Sequence, residues 1–223
     1  RGSDTYLYSR GEGHDTIIEA TNAGSNDQLM LMRVGVSDVT FVRNGIDLTL
    51  VFAESAPGAS DGGSILLKGA LDDASGRGVE KIVFADGTTW DGATMRNRMV
   101  SDMKATGTVV GTENDETYRH TSGDGSYSIT DYDYNRGADR LVFTDVNPGD
   151  LTLSRSASNT NLVLTLANGE KITLVRQLDE DTRYSIETLQ FADGTTWSQA
   201  DLRNRMVSDM KATGTVVGTE NDE

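Results

Sequence analysis

The chain has no cysteine among its 223 residues, so neither a disulfide nor a thiolate metal site can form. It has only two histidines, His14 and His120, both in polar, glycine-rich stretches. No G-x-S-x-G elbow, no H-E-x-x-H pair and no glycine-rich phosphate loop with its lysine occurs, which leaves a hydrolase or nucleotide-driven enzyme without machinery. The reading is therefore of a chain that is not an enzyme. No apolar run approaches the ~18 residues of a bilayer-spanning helix, and no basic-then-apolar leader opens the sequence. Hydrophobic residues make up 36%, which leaves little for cores. Basic residues are outnumbered, 20 Lys and Arg against 35 Asp and Glu. The net charge of −15 argues against nucleic acid and against an anionic membrane, and suits divalent cations or a cationic partner.

What the sequence does have is repetition. "RNRMVSDMKATGTVVGTENDE" occupies 96–116 and recurs letter for letter at 203–223, an offset of 107. "FADGTTW" repeats at the same offset, at 84–90 and 191–197. Further upstream the offset is 112, as "DQLML" (27–31) matches "DRLVF" (139–143). The first copy carries seven extra residues in "AESAPGASDGG", an insertion expected in an exposed hairpin loop. A self-match at a fixed long period means tandem units. The expected boundaries are a first repeat at 1–107, a second at 108–217 and the start of a third at 218–223, so the chain reads as a slice of a longer array.

Periodicity supplies the elements. "VTFVR", "DLTLVF", "SILLK" and "EKIVF" are short β-branched and aliphatic runs bounded by turn pairs such as Asn44-Gly45, Asp86-Gly87 and Asp193-Gly194. After Trp90 and Trp197 the period lengthens, with Met95, Met99 and Met103 four apart and Leu202, Met206 and Met210 likewise. Asp91 or Ser198 would cap such a helix, and Gly107 or Gly214 would stop it. The predicted fold is all-β or β-rich, two tandem repeats, each a β-meander or β-roll-like sheet followed by one short amphipathic helix. The methionine stripe and the two tryptophans are read as packing.

Acidic side chains point to the chemistry. "DYDYNRGAD" sets Asp131, Asp133, Asn135 and Asp139 at relative positions 1, 3, 5 and 9, spacing that lets a looped backbone converge oxygens on one hard cation. Asp115 and Asp124 lie in the same acid-rich stretch. The first copy keeps Glu19 and Asp27 at matching positions but has Thr21 and Ala23 between them. It has instead "GEGHDTII", where Asp15 follows two turn-forming glycines, and Asp4 stands just upstream. Ca²⁺ is the expected ion. Tyr118, Tyr127, Tyr132 and Tyr134 are candidates for stacking on sugars, or simply alternate residues of a strand.

With these residues in view, "GSDTYLYSRGEGHDTI", "DRLVF…DLTLSR", "IETLQFADGTTW" and "VVGTENDETY" resemble the haemolysin-type calcium-binding related domains associated with RTX proteins. The duplicated arrangement is also similar to Rap-type rhizobial adhering proteins. The resemblance covers nearly the whole chain but lacks consecutive glycine-rich nonapeptides, so one or two calcium sites per repeat are expected rather than a stacked row. It implies an extracellular or cell-surface protein, exported by type I secretion, in which the repeats act as a calcium-stabilised structural or adhesive segment. The alternative it leaves open is a calcium-dependent lectin that binds acidic exopolysaccharide.

Overall fold

In the computed structural model the described residues are 2–21, 26–72, 76–132, 138–156, 160–212 and 214. They divide into two compact units, Arg1–Asp102 and Met103–Glu223. This places the division five residues before the boundary expected from the repeat offset, inside the last turn of a helix.

The first unit runs β1 (Thr5–Ser9), β2 (His14–Ile17), β3 (Gln28–Met32), β4 (Val39–Asn44), β5 (Asp47–Phe52), β6 (Gly63–Leu67), β7 (Lys81–Phe84), β8 (Thr89–Asp91) and α1 (Gly92–Met103). These strands form two sheets, in the orders β1-β3-β7-β8 and β2-β6-β5-β4. The meander read from the sequence is β4, β5 and β6, antiparallel throughout, with Phe41 opposite Leu50 and Leu50 opposite Ile65. What periodicity did not show is the winding around it. Strands β1, β3 and β7 are parallel, and so are β2 and β6. Parallel neighbours need a crossover, and here the chain makes each crossover by visiting the other sheet, as in a roll.

The second unit repeats the plan: β9 (Thr108–Val110), β10 (Thr117–His120), β11 (Tyr127–Thr130), β12 (Arg140–Phe143), β13 (Leu151–Arg155), β14 (Leu162–Leu166), β15 (Lys171–Leu174), β16 (Thr188–Gln190), β17 (Thr196–Ser198) and α2 (Gln199–Ala212). Its sheets are β10-β12-β16-β17 and β13-β14-β15-β11-β9. The offset of 112 is visible in the pairing itself. Thr5 pairs with Gln28 in the first unit, and Thr117 with Arg140 in the second. Strand β9 lies parallel to β11, with Val109 opposite Ile129.

The cores are thin, as 36% hydrophobic content requires. Leu29, Leu31, Val39, Leu50 and Ile82 fill the first, and Leu141, Leu162, Leu164, Ile172 and Leu189 the second. Met95, Met99, Leu202 and Met206 are buried, so the stripe is packing, and Trp90 lies against Phe84 and Phe41. Asp91 caps α1 by accepting the Thr94 N–H at 2.8 Å, and Gly107 ends the helical stretch in the left-handed region at φ 78°. Each helix also covers a sheet edge. Asp102 accepts the Phe41 N–H on β4 at 2.9 Å, and Asp209 accepts the Leu153 N–H on β13 at 2.9 Å. An edge strand whose amides are taken by helix carboxylates is not open to another chain.

The inserted loop is where an insertion costs least. Its backbone is held by its own side chains, with Glu54 accepting from Gly58 and Ser60 and Asp61 accepting from Ser55.

Candidate metal centre

The roll explains how distant acids meet. Asp4, Asp27 and Glu80 each immediately precede a parallel strand of the same sheet, β1, β3 and β7. Side-by-side strands in register bring their leading residues side by side. The Asp4 N–H donates to Asp27 Oδ1 at 2.6 Å, and the Asp27 N–H to Glu80 Oε2 at 2.6 Å. Glu19, just past the end of β2, arrives from the second sheet, and Asp4, Glu19 and Asp27 offer oxygens within 4.8 Å of one another. The Tyr6 hydroxyl donates to Glu19, and this bond, followed by burial, pushes its pKa up to about 12.

The second unit builds the same row from Glu116, Asp139 and Glu187. The Glu116 N–H donates to Asp139 Oδ1 at 2.7 Å, and the Asp139 N–H to Glu187 Oε2 at 2.8 Å. Asp131, just past β11, completes the triad, and Glu116, Asp131 and Asp139 present oxygens within 4.8 Å. The two triads are the same positions, 112 residues apart.

The second triad is the more enclosed. Glu116, Asp131 and Asp139 are 1%, 2% and 1% exposed, whereas Asp4 is an exposed residue. The Thr112 N–H donates to Glu116 at 2.9 Å and its hydroxyl donates to the other oxygen. Both Asp131 oxygens and the Tyr118 hydroxyl are buried without a hydrogen-bond partner. Two unit charges 4 Å apart repel by about 4 kcal/mol at an effective dielectric of 20, so three buried carboxylates cannot all ionise unaided. Burial, then the charges of Asp139 and Glu116, push the Asp131 carboxyl far above its usual range. Burial, then Asp131, does the same to the Tyr118 phenol.

A hard divalent cation fits this donor set. The ligands are all oxygen, with no thiolate or imidazole in the triad, which is the chemistry of calcium or magnesium rather than zinc or copper. The unpartnered Asp131 oxygens are what an oxygen-coordinated ion would engage. Gly111 keeps the space open, since a Cβ there would overlap the Tyr118 hydroxyl and Asp131 Oδ1.

The residues nominated from the sequence divide accordingly. Asp4, Glu19 and Asp27 meet, and Asp131 meets Asp139. Asp133, Tyr134 and Asn135, the middle of the predicted loop, lie outside the described residues. Asp115 is exposed and accepts the Ala138 N–H at 3.0 Å, apart from the triad. Asp15 faces outward on β2. Asp124 is engaged elsewhere, because burial would raise its pKa but the Lys104 ammonium and the Thr121 N–H outweigh it and hold the carboxyl low. The placement of Tyr118 on a sugar-binding surface is corrected by the structure. Its ring is 3% exposed, because alternate residues of β10 face the core and its hydroxyl enters the triad. Tyr127 is likewise buried. Tyr132 is partly exposed and packs on Tyr184, with centroids 4.9 Å apart.

Glu116, the third acid of this triad, was not nominated from the sequence. The signal was present, since applying the 112-residue offset to Asp4 leads directly to it.

At the far ends of β1 and β10 from the triads, the two units differ by a matched pair of substitutions. Tyr8 in the first unit donates to the Gly13 carbonyl at 3.0 Å, and Gly63 must lack a side chain because a Cβ would overlap both groups. The second unit has His120 and Glu170 in these places. Glu170 accepts from Gly125 at 2.6 Å and Asn168 at 2.6 Å, and lies 3.6 Å from His120 Nε2. Burial pulls the His120 pKa below its usual 6.5, although Asp124 and Glu170 oppose the shift. The depressed value means His120 contributes stability above pH 6.5 that is lost as pH falls through its folded-state pKa. The melting temperature should decline as the pH falls from 6.5 toward that folded-state pKa. Importing the first unit's pair, His120→Tyr with Glu170→Gly, should flatten the decline between about pH 6.5 and 5, and an unchanged slope would contradict the assignment.

Residues 58–94 and 161–201 match the haemolysin-type calcium binding protein related domain, the family that the sequence resemblance indicated. Both matched segments end at equivalent positions, in the first turn of the helices. They contain Glu80 and Glu187, the acids that support the triads, while the triads themselves lie upstream. No curated protein matches the chain. Among solved structures, the extracellular lipase LipA from Serratia marcescens is similar over 84% of this chain at 14% identity and a TM-score of 0.26, and the chain spans 37% of the lipase.

Proposed function

We propose that the chain is a calcium-stabilised repeat module of a secreted, RTX-type protein, with one ion held at each of two equivalent triads, and that it serves as a structural and adhesive segment rather than a catalyst. The observation that carries this reading is the buried Asp131 carboxylate, unpartnered on both oxygens and pressed against Glu116 and Asp139. Three buried carboxylates this close together are costly in the absence of a cation and favourable with one. The domain's description as calcium binding supports the choice of ion. Among the described residues no helix is long and apolar enough to cross a membrane. Gly111→Ala provides the test, because its Cβ would overlap Asp131 Oδ1 and displace that carboxylate while removing no acid from the chain. Calcium should raise the melting temperature of the second unit in the parent chain and fail to do so in the variant. An undiminished calcium response in Gly111→Ala would count against the site.

The lectin reading is favoured by one surface. Arg176 lies 3.6 Å over the Tyr184 ring, Tyr184 packs on Tyr132, and Arg183 lies 5.3 Å from the Tyr132 ring. Aromatic rings flanked by guanidinium groups suit a carboxylated sugar that would exchange with their present partners, Asp179 on Arg176 at 2.9 Å and Asp181 on Arg183 at 2.7 Å. Tyr184→Ala should abolish retention on a uronate-containing polysaccharide, and retention by the variant would leave the structural role alone.

A further inference from the structure

The loops that lead into β7 and β16 have the same length, but only the second unit fills the space beneath its loop. Gly69 and its counterpart Arg176 both start the loop in the left-handed region, at φ 68° and 61°. The chain then makes the same ten-residue step, to Val79 or to Ile186. In the second unit the residue after Arg176 is Gln177, 4% exposed. Its carboxamide pairs with both backbone groups of Ile186, accepting the N–H at 2.9 Å and donating to the carbonyl at 2.9 Å. A second glutamine, Gln199 in the first turn of α2, donates to Ser185 Oγ at 2.9 Å.

The first unit has Ala70 and Gly92 where these glutamines stand, and Gly78 in place of Ser185. A partly open cavity of about 260 Å³ results, with Leu48, Leu67, Ala70, Val79 and Met95 in its described lining. Among the described residues nothing takes the Val79 N–H or carbonyl, although Val79 is only 5% exposed. Backbone groups withdrawn from water call for a partner. The lining also holds Glu80 and Arg96, one charge of each sign.

We propose that this cavity binds a free amino acid whose side chain ends in a primary carboxamide, as glutamine's does. The ligand's carboxamide accepts the Val79 N–H and donates to the Val79 carbonyl, repeating what Gln177 does for Ile186. Its methylenes lie against Leu48, Leu67 and Met95. Its α-carboxylate pairs with Arg96 and its α-ammonium with Glu80, one of whose oxygens holds the Asp27 N–H at 2.6 Å. Glutamate is a poor substitute, because an ionised carboxylate has no hydrogen to give the Val79 carbonyl. The second unit is closed to such a ligand by its own side chains.

Titration of L-glutamine into the parent chain, followed by amide NMR, tests the site. One molecule should bind per chain and move the Val79 and Gly92 resonances. L-glutamate should bind at least about tenfold more weakly, since it leaves a buried acceptor unpaired. Ala70→Gln supplies the carboxamide from within, so it should raise the melting temperature and abolish binding. If that variant does not fold, Gly92→Gln narrows the same cavity from the helix side and should also abolish binding. Gln177→Ala combined with Gln199→Gly recreates the cavity in the second unit and should add a second bound molecule. No shifts with millimolar glutamine, equal binding of glutamate, or undiminished binding in a folded Ala70→Gln chain overturns the proposal.

Discussion

Asp131→Asn is expected to stabilise the calcium-free protein and to erase the calcium response of the second unit. Both effects have one origin. In the absence of an ion, Asp131 is a buried carboxyl beside Glu116 and Asp139, with neither oxygen partnered. Its folded-state pKa is raised by burial first and by those neighbours next. The proton it carries confers stability fully present below the ordinary value of 3.8, and this stability is lost as pH rises through the raised folded-state value. At neutral pH the apo protein therefore carries the cost that the amide removes. A net gain of about 1–2 kcal/mol would raise the melting temperature of a domain of this size by roughly 4–10 °C. Below about pH 4 the carboxyl is protonated in the unfolded chain too, so the cost of taking up a proton on folding disappears and the advantage of the variant should vanish. In calcium the order reverses, because the parent gains a ligand that the variant lacks. Thermal melts of both proteins in EDTA and in calcium give the four values needed. A variant less stable than the parent in EDTA would show that Asp131 is satisfied without an ion.

Calcium removal should have the larger effect on the whole chain. A ligand that binds only the native state stabilises by about 2.7 kcal/mol at a hundredfold excess over its Kd. Two triads filled together would contribute about 5 kcal/mol, the lower end of the full stability of a small domain. The net charge of −15 makes the apo state worse, because it repels itself across thin cores. In EDTA the chain should be expanded or partly unfolded by scattering and circular dichroism, and millimolar calcium should restore compactness. Magnesium should restore less, since it dehydrates reluctantly and demands a tighter octahedron. An EDTA form as compact and as stable as the calcium form would make the ion incidental.

Much of the fold was legible because the strands of the meander alternate cleanly and the turn glycines stand where positive φ is needed, at Gly45, Gly87 and Gly194. The division into β-rich repeats followed from the self-match alone. The parallel half was not legible. Strands β1, β2 and β3 are short, and nothing in a four- or five-residue run states whether its neighbour is parallel. The site suffered for the same reason. A local loop reading nominated Asp131 and Asp139, which lie together in the structure, but it also searched nearby in sequence and chose Asp124 and Asp115. The third acid of the triad, Glu116, comes from a strand start 15 residues before Asp131 and is placed by the register between β10 and β12. Tyr118 was misplaced because an alternating tyrosine pattern does not say which face is inward. Comparison of the copies would have helped, since Asp4 and Glu116, and Glu19 and Asp131, are each separated by 112 residues.

The central claim is that two equivalent carboxylate triads each hold one calcium ion. Calorimetric titration of calcium into the EDTA-stripped chain measures this most directly. The account predicts two ions per chain, one after Asp139→Asn, and none after Asp27→Asn and Asp139→Asn together. Two ions still bound by the double variant, or no calcium bound by the parent chain, would contradict it.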